Sequence, residues 1–191
     1  NDEVEANELL LKLDDAEARA RLAAAETQAD VREKTRDDRN LSKDRKDVRK
    51  AEDEFYRAER ASTGARIELD YALSGRRNGT VTERTLRNSR RRLEQADERL
   101  QKARIKVARA QADPDLPAPT PAEAAVSEAR AQVAIAEALL DKTRVRAPRN
   151  GRVLILRAKS GEMVAPSPMQ PLVVIGDMGG LQVTAEVDEA D

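Results

Sequence analysis

Residues 143–164 read TRVRAPRNGRVLILRAKSGEMV. Short apolar runs alternate here with the residues that punctuate strands. Pro148 and the Asn150-Gly151 pair predict a tight, hairpin-type turn, because a two-residue type I′ loop needs positive φ at both central positions. Val153 to Leu156 then read as a strand, Ser160-Gly161 as a turn, and Leu172 to Ile175 as a second strand. Gly176 to Gly180 make another turn, after which Leu181, Val183, Ala185 and Val187 alternate with polar residues like a half-buried strand. The start of the chain holds a shorter echo. Asn1, Asp2, Glu3 and Val4 parallel Gly161, Glu162, Met163 and Val164, and Leu9 to Asp14 continue it. The β texture is therefore split, and residues 15–142 are an insertion between its two parts.

That insertion is helical. Residues 1–112 contain no proline and three glycines, Gly64, Gly75 and Gly79. Leu41, Val48, Phe55, Ser62 and Leu69 recur every seven residues, with Ala51, Ala58, Ala65 and Ala72 three places later. Leu86, Leu93, Leu100 and Val107 repeat likewise, accompanied by Ser89, Ala96, Ala103 and Ala110. These are the a/d seams of two antiparallel coiled-coil arms. Ser74 to Thr82 close them with a turn-rich cluster, and Thr82 is suited to cap the second helix. An unbroken first arm would reach on the order of 90 Å at the rise of an α-helix.

Regularity fails at two places that match when counted from the tip. Residues 113–121, DPDLPAPTP, carry four prolines and cannot stay helical. The apolar phase of the incoming arm slips between Val31 and Leu41, around TRDDRN. One reading is a joint between a stem (about 15–32 and 122–142) and a long distal arm. The other is a solvated insertion of no mechanical use.

Composition narrows the function. With 37% charged and 2% aromatic residues the chain suits a coiled coil better than a broad globular core. Its 35 basic and 36 acidic residues nearly cancel, so no global bias toward nucleic acid or anionic membrane follows. The basic clusters Arg32–Lys50 and Arg87–Arg92 read as solvated helix faces, without the aromatic residues that stack on bases. Cysteine and histidine are absent, which removes disulfides, the usual zinc sites and Ser-His-Asp triads. No catalytic residue, cofactor or metal is expected. The acidic stretch Glu186–Asp191 reads as a solvated strand face. No apolar run approaches the ~20 residues that span a bilayer.

The combination Thr-x-Val-x-Ala-Pro, Asn-Gly and Gly-Glu-x-Val resembles the second lipoyl half of the HlyD-type periplasmic adaptors, also called membrane fusion proteins. The resemblance extends over essentially the whole chain. It implies an α+β fold in which a long antiparallel α-helical coiled-coil hairpin is inserted between two halves of a lipoyl-like (biotinyl-lipoyl) β-domain. The first half, truncated, covers 1–14, the hairpin 15–142 with its tip near 74–82, the second half 143–178, and the start of a β-barrel domain 179–191. Ala147, Pro148, Asn150, Gly151, Gly161 and Val164 carry the lipoyl motif. Asn1 stands where the family prefers glycine, though Asn tolerates the left-handed conformation.

The resemblance further implies a periplasmic adaptor without enzymatic activity, bridging an inner-membrane transporter (ABC or proton-driven) to a TolC-like outer-membrane channel and assembling with itself into a ring. The chain opens inside a motif and stops in a strand-like pattern, so the membrane anchor is expected outside it. The docking tip falls on Leu73, Ser74, Arg76, Arg77, Asn78, Gly79, Thr80, Val81 and Thr82. The family tip has an Arg, a Leu four later and a Ser seven after that. Here Thr82 supplies the hydroxyl, Leu73 lies nine residues before it, and Leu69 stands where the Arg would be. Asp141-Lys142-Thr143 is similar to the modified-lysine site of lipoyl carriers, but at the end of a helix Lys142 suits a cap. A coiled-coil scaffold or tether with a β-cap and no transporter partner is the alternative.

Overall fold

The computed structural model describes residues 3–39, 45–77, 79–164 and 171–177. Asn1 and Asp2, the seam residue Leu41, Asn78 at the tip, the side chain of Arg77 and the expected further strand at 179–191 lie outside the described residues. The fold is α+β, with four helices and small sheets. It divides into two compact units, one of Asn1–Leu10 with Arg146–Asp191 and one of Leu11–Val145.

The first unit brings together the segments that precede and follow the helices. β1 (Glu3–Val4), β4 (Gly151–Leu156) and β5 (Val173–Gly176) form an antiparallel sheet in the order β1-β4-β5. Glu3 lies opposite Arg152 and Val4 opposite Gly151. Between Val153 and Ile155 the register shifts against β5, which leaves Leu154 as the extra residue of a bulge. β2 (Leu9–Lys12) pairs with β3 (Arg144–Arg146) in a second, two-stranded sheet.

The expected hairpin turn at Asn150-Gly151 is not formed. Neither residue has positive φ, and β3 and β4 belong to different sheets. Gly151 instead opens β4 where a Cβ would lie 2.6 Å from the carbonyl oxygen of Gly176, so close approach, rather than a left-handed φ, requires glycine there. Asn7, between β1 and β2, has a φ of 66°.

The second unit holds α1 (Ala16–Asp37), α2 (Lys46–Arg77), α3 (Glu83–Gln111) and α4 (Pro121–Asp141). Two antiparallel pairs carry the packing, α1 with α4 and α2 with α3. The seam of α2 with α3 follows the heptads: Val48, Ala51, Ser62, Ala72, Leu86, Ser89, Ala96 and Ala103 are all buried. Small residues predominate among them, which lets the two backbones approach closely. Ion pairs flank this seam, Arg92 with Glu68 and Lys106 with Glu54 (2.7 Å).

The prolines stop α3 as expected. α4 restarts at Pro121, whose missing N–H costs nothing in a first turn. Thr120 and Glu123 close a capping box there: Glu123 N–H donates to Thr120 Oγ1 (3.3 Å) and Thr120 N–H donates to Glu123 Oε2 (2.7 Å).

The described flanks of the two irregular segments do meet, Arg45 donating to Pro117 O (2.7 Å), but the arm does not run on straight beyond α1. α2 doubles back along α1. Arg36 in α1 pairs with Asp53 in α2 (2.9 Å), Glu26 with Arg60 (2.6 Å), and Lys12 Nζ lies 5.9 Å from the centre of the Tyr71 ring. In a straight arm Glu26 and Arg60 would stand about 50 Å apart at ~1.5 Å per residue. The expected single reach of about 90 Å is therefore replaced by a hairpin whose longer helix, 32 residues, spans ~48 Å.

Candidate functional site

At the hairpin end, α2 finishes in a glycine-terminated cap. Gly79 adopts φ 72°, its N–H donates to Arg76 O (3.0 Å), and Thr80 N–H donates to Gly75 O (2.8 Å). Val81 folds its side chain onto Gly75, where a Cβ would sit 2.4 Å from Val81 Cγ2. Thr82 caps α3 by accepting from Thr85 N–H (3.3 Å), and Arg76 pairs with Glu83 (3.2 Å) across the turn.

Among the expected docking residues Arg76, Gly79, Thr80 and Thr82 are exposed, while Leu73, Ser74 and Val81 are half-buried. The described tip residues thus form a small, hydrogen-bonded cap. Because α2 runs back along α1, Tyr71 near this tip lies level with Lys12 at the foot of α1. The opposite end of the unit carries the links between helices, where Arg45 donates to Pro117 O (2.7 Å).

The larger constellation is one that heptad reading missed. A second face of α2, at helical spacing, presents Arg49, Asp53, Tyr56 and Arg60 to the α1–α4 pair. Asp53 accepts from Arg36 (2.9 and 3.0 Å) and from Arg130 (2.6 Å), and Arg130 also reaches Glu33. Glu123 accepts from Arg49 (2.9 Å) and lies 3.4 Å from Arg45 Nε. Tyr56 supplies the apolar centre. Its ring packs on Ala29, Ala129 and Val133, with Leu22 and Ala25 alongside, and the Arg130 guanidinium lies 4.6 Å from the ring centre.

The charges of this seam are perturbed as burial and pairing dictate. Burial pushes the Asp53 carboxyl up, but hydrogen bonds from Arg36 and Arg130 outweigh it and hold the group below the usual carboxylate range. Glu123 is likewise penalised by burial yet lowered, by Thr120 and then Arg49. Burial raises the Tyr56 phenol, and burial beside Glu59 raises Glu137. Arg36 and Arg45 are 4% and 6% exposed, so the expectation that cluster 32–50 is a solvated face fails for these two, which are desolvated in ion pairs. Arg87, Arg90, Arg91 and Arg92 on α3 are exposed.

In the β unit the motif residues serve the joining of the two chain ends. Ala147 is buried and exchanges backbone hydrogen bonds with the 7–8 segment, Asn7 N–H to Ala147 O (2.7 Å) and Ala147 N–H to Glu8 O (2.9 Å). The Asn150 side chain accepts from Ala6 N–H (2.6 Å). Gly161 has φ 82° in an open turn, Val164 is half-buried and Pro148 is exposed. Lys142 follows α4 as its cap residue, its N–H donating to Ala138 O (3.2 Å).

Among the described residues no cluster of three metal-ligating side chains is found, and no helix is long and apolar enough to cross a membrane. No protein-family model matches this chain, and no curated protein matches it.

Proposed function

We propose that this chain is the hairpin-bearing part of a periplasmic adaptor, linking an inner-membrane transporter to an outer-membrane channel and working as a homo-oligomer anchored through a segment outside it. One observation carries the reading. The segments on either side of the helical region pair with each other, Glu3 opposite Arg152 and Val4 opposite Gly151, so a helical hairpin is inserted in the sequence of a small β unit. That insertion, together with the Ala-Pro, Asn-Gly and Gly-Glu-x-Val motifs on its C-terminal half, supports a lipoyl-like identity for the β unit. The exposed tip supports docking through Arg76, Thr80 and Thr82.

This chain contains no cysteine, so a cysteine placed in it is its single thiol. The full-length protein carrying Thr80→Cys, in its native envelope, is cross-linked through that thiol and its neighbours are identified. Capture of an outer-membrane channel is the expected result. Capture of its own copies alone would replace the adaptor reading with a scaffold or tether.

A further inference from the structure

We propose that the α2–α3 hairpin is a swinging arm, held folded against the α1–α4 pair by a seam of ion pairs around one tyrosine and able to swing out end-on to that pair. Three features of the second unit carry this.

The first is the contrast between seams. Within the α2–α3 pair the buried contact is mainly apolar and close, through Val48, Ala51, Leu86, Ala96 and Ala103, with Ser62 and Ser89 among them and ion pairs at its flanks. Between the pairs the contacts are Arg36 and Arg130 on Asp53, Arg60 on Glu26, and Arg45 and Arg49 on Glu123, around one apolar cluster in which Tyr56 packs on Ala29, Ala129 and Val133, with Phe55, Val107 and Val126 lining the space beside it. Water can replace ion pairs when the faces part, whereas it cannot replace an apolar seam. The faces are complementary as well. Arg45, Arg49, Asp53 and Arg60 on the arm sum to +2, while Glu26, Glu33, Arg36, Glu123 and Arg130 on the stem sum to −1.

The second is the position of the crossings. The chain passes between the pairs twice, after α1 and after α3. Both crossings lie at the same end, since Arg45 just before α2 donates to Pro117 in the α3–α4 link. A body joined to another by two strands at one end can rotate about that end without breaking either pair. The α3–α4 link is itself non-helical through Pro114, Pro117 and Pro119.

The third is an imperfection of the folded form. The Tyr56 hydroxyl is buried with no hydrogen-bond partner among the described residues, and opening would release it to water. The two positions differ in what the tip can reach. Folded, it lies level with the foot of α1; extended, it stands a helix length beyond the links. The mechanical claim does not depend on the adaptor reading.

Spin labels on Gln28→Cys and Arg57→Cys, both exposed, test it by pulsed dipolar distance measurement. Folded, the two positions lie at a similar level on neighbouring helices, close to the Glu26–Arg60 pair, and give a distance below about 25 Å; extended, about 40 Å or more at ~1.5 Å per residue. A control pair, Arg57→Cys with Arg104→Cys, reports the α2–α3 pair itself.

The expected result is a predominantly short distance in the parent chain and a shift of most of the population to the long one when Asp53→Lys sets a third cation between Arg36 and Arg130. The control distance stays short. Persistence of the short distance in Asp53→Lys overturns the proposal, because the seam would then not be what holds the arm. Lengthening of the control overturns it too, because the pairs would not be separate bodies. The same holds if the parent chain gives only the long distance.

Discussion

Replacing Tyr56 by phenylalanine stabilises the helical unit. The ring is 7% exposed, wedged between Ala29 of α1 and Ala129 and Val133 of α4, and its hydroxyl is buried without a hydrogen-bond partner among the described residues. Stranding such a group costs about 1–3 kcal/mol, and Phe removes it while keeping the ring. Against this stands a weaker attraction for Arg130 and Arg60, whose guanidiniums lie 4.6 and 5.8 Å from the ring centre; with phenylalanine that loss is at most about 0.5 kcal/mol.

The net gain is about 1 kcal/mol, or roughly 2–4 °C in Tm for a chain of this size. Urea unfolding followed by far-UV circular dichroism measures it. Tyr56→Ala serves as the companion: it removes the ring and leaves a cavity, at a cost of about 3–5 kcal/mol. If Tyr56→Phe instead lost 1 kcal/mol or more, the hydroxyl would have to be hydrogen-bonded, and the packing of α2 against the stem would differ from that described. Equal, small effects of Phe and Ala would mean that the ring is solvated and the seam open.

Gly75→Ala forces a Cβ to within 2.4 Å of Val81 Cγ2, and Gly79→Ala a left-handed residue at φ 72°; each destabilises the tip by about 1–2 kcal/mol in thermal unfolding. Thr120→Ala removes the hydroxyl of the α4 capping box and costs about 1 kcal/mol in the same assay. Asp53→Ala leaves Arg36 and Arg130 without their shared carboxylate and costs about 3 kcal/mol. The pH dependence has a definite sign. Asp53 and Glu123 are held below their ordinary values of 3.8 and 4.5, so their contribution is complete above those values and is lost as pH falls through the depressed ones, which an acid titration of helicity detects. Glu137, raised by burial beside Glu59, behaves oppositely. Its charge is unfavourable in the fold, so Glu137→Gln raises neutral-pH stability by a few tenths of a kcal/mol once solvent screening is allowed for.

The parts of this fold that sequence reading reached rest on local chemistry. Leu86, Ala96 and Ala103, at the two apolar places of a seven-residue repeat, determine that α3 has a buried stripe, Thr82 and Gly79 bracket the turn, and Pro114 to Pro121 end one helix and begin another. What escaped it is long-range. Heptads specify that an arm pairs with its return strand, but they are silent on whether two successive helices run straight or fold back. That choice is made by Arg36, Asp53, Arg130 and Glu123, which to a hydrophobicity count are indistinguishable from solvated charge. Phe55 was the aromatic residue on the seam, yet Tyr56, one step round the helix, is the one that is buried. A search for charges of opposite sign at helical spacing around a lone aromatic, as in Arg49, Asp53, Tyr56 and Arg60, would have found the second face. The Asn150-Gly151 error has the same origin. The pair is a turn signal by local propensity, whereas the tertiary approach of Gly176 decides why the glycine is there.

A seam of this composition is a poor way to gain stability and a good way to specify an arrangement. Replacing a buried ion pair by apolar residues of similar volume is often neutral or stabilising, because desolvating charges offsets their attraction. Charges are nonetheless selective about register. Sliding α2 by one turn along α1 would take Asp53 from the Arg36 and Arg130 guanidiniums and Arg60 from Glu26, leaving several charges desolvated and unpaired. An apolar seam would tolerate such a slip through repacking. The folded position is therefore sharply defined while it lasts. The charged groups that define it can all be satisfied by water, so the cost of leaving it lies mainly in exposing Tyr56 and the Ala29, Ala129 and Val133 side chains packed on it. An arm meant to stay down would have been given leucines at positions 49, 53 and 60. An arm meant never to come down would not carry complementary charges at positions 36, 53, 123 and 130, where α1, α2 and α4 converge.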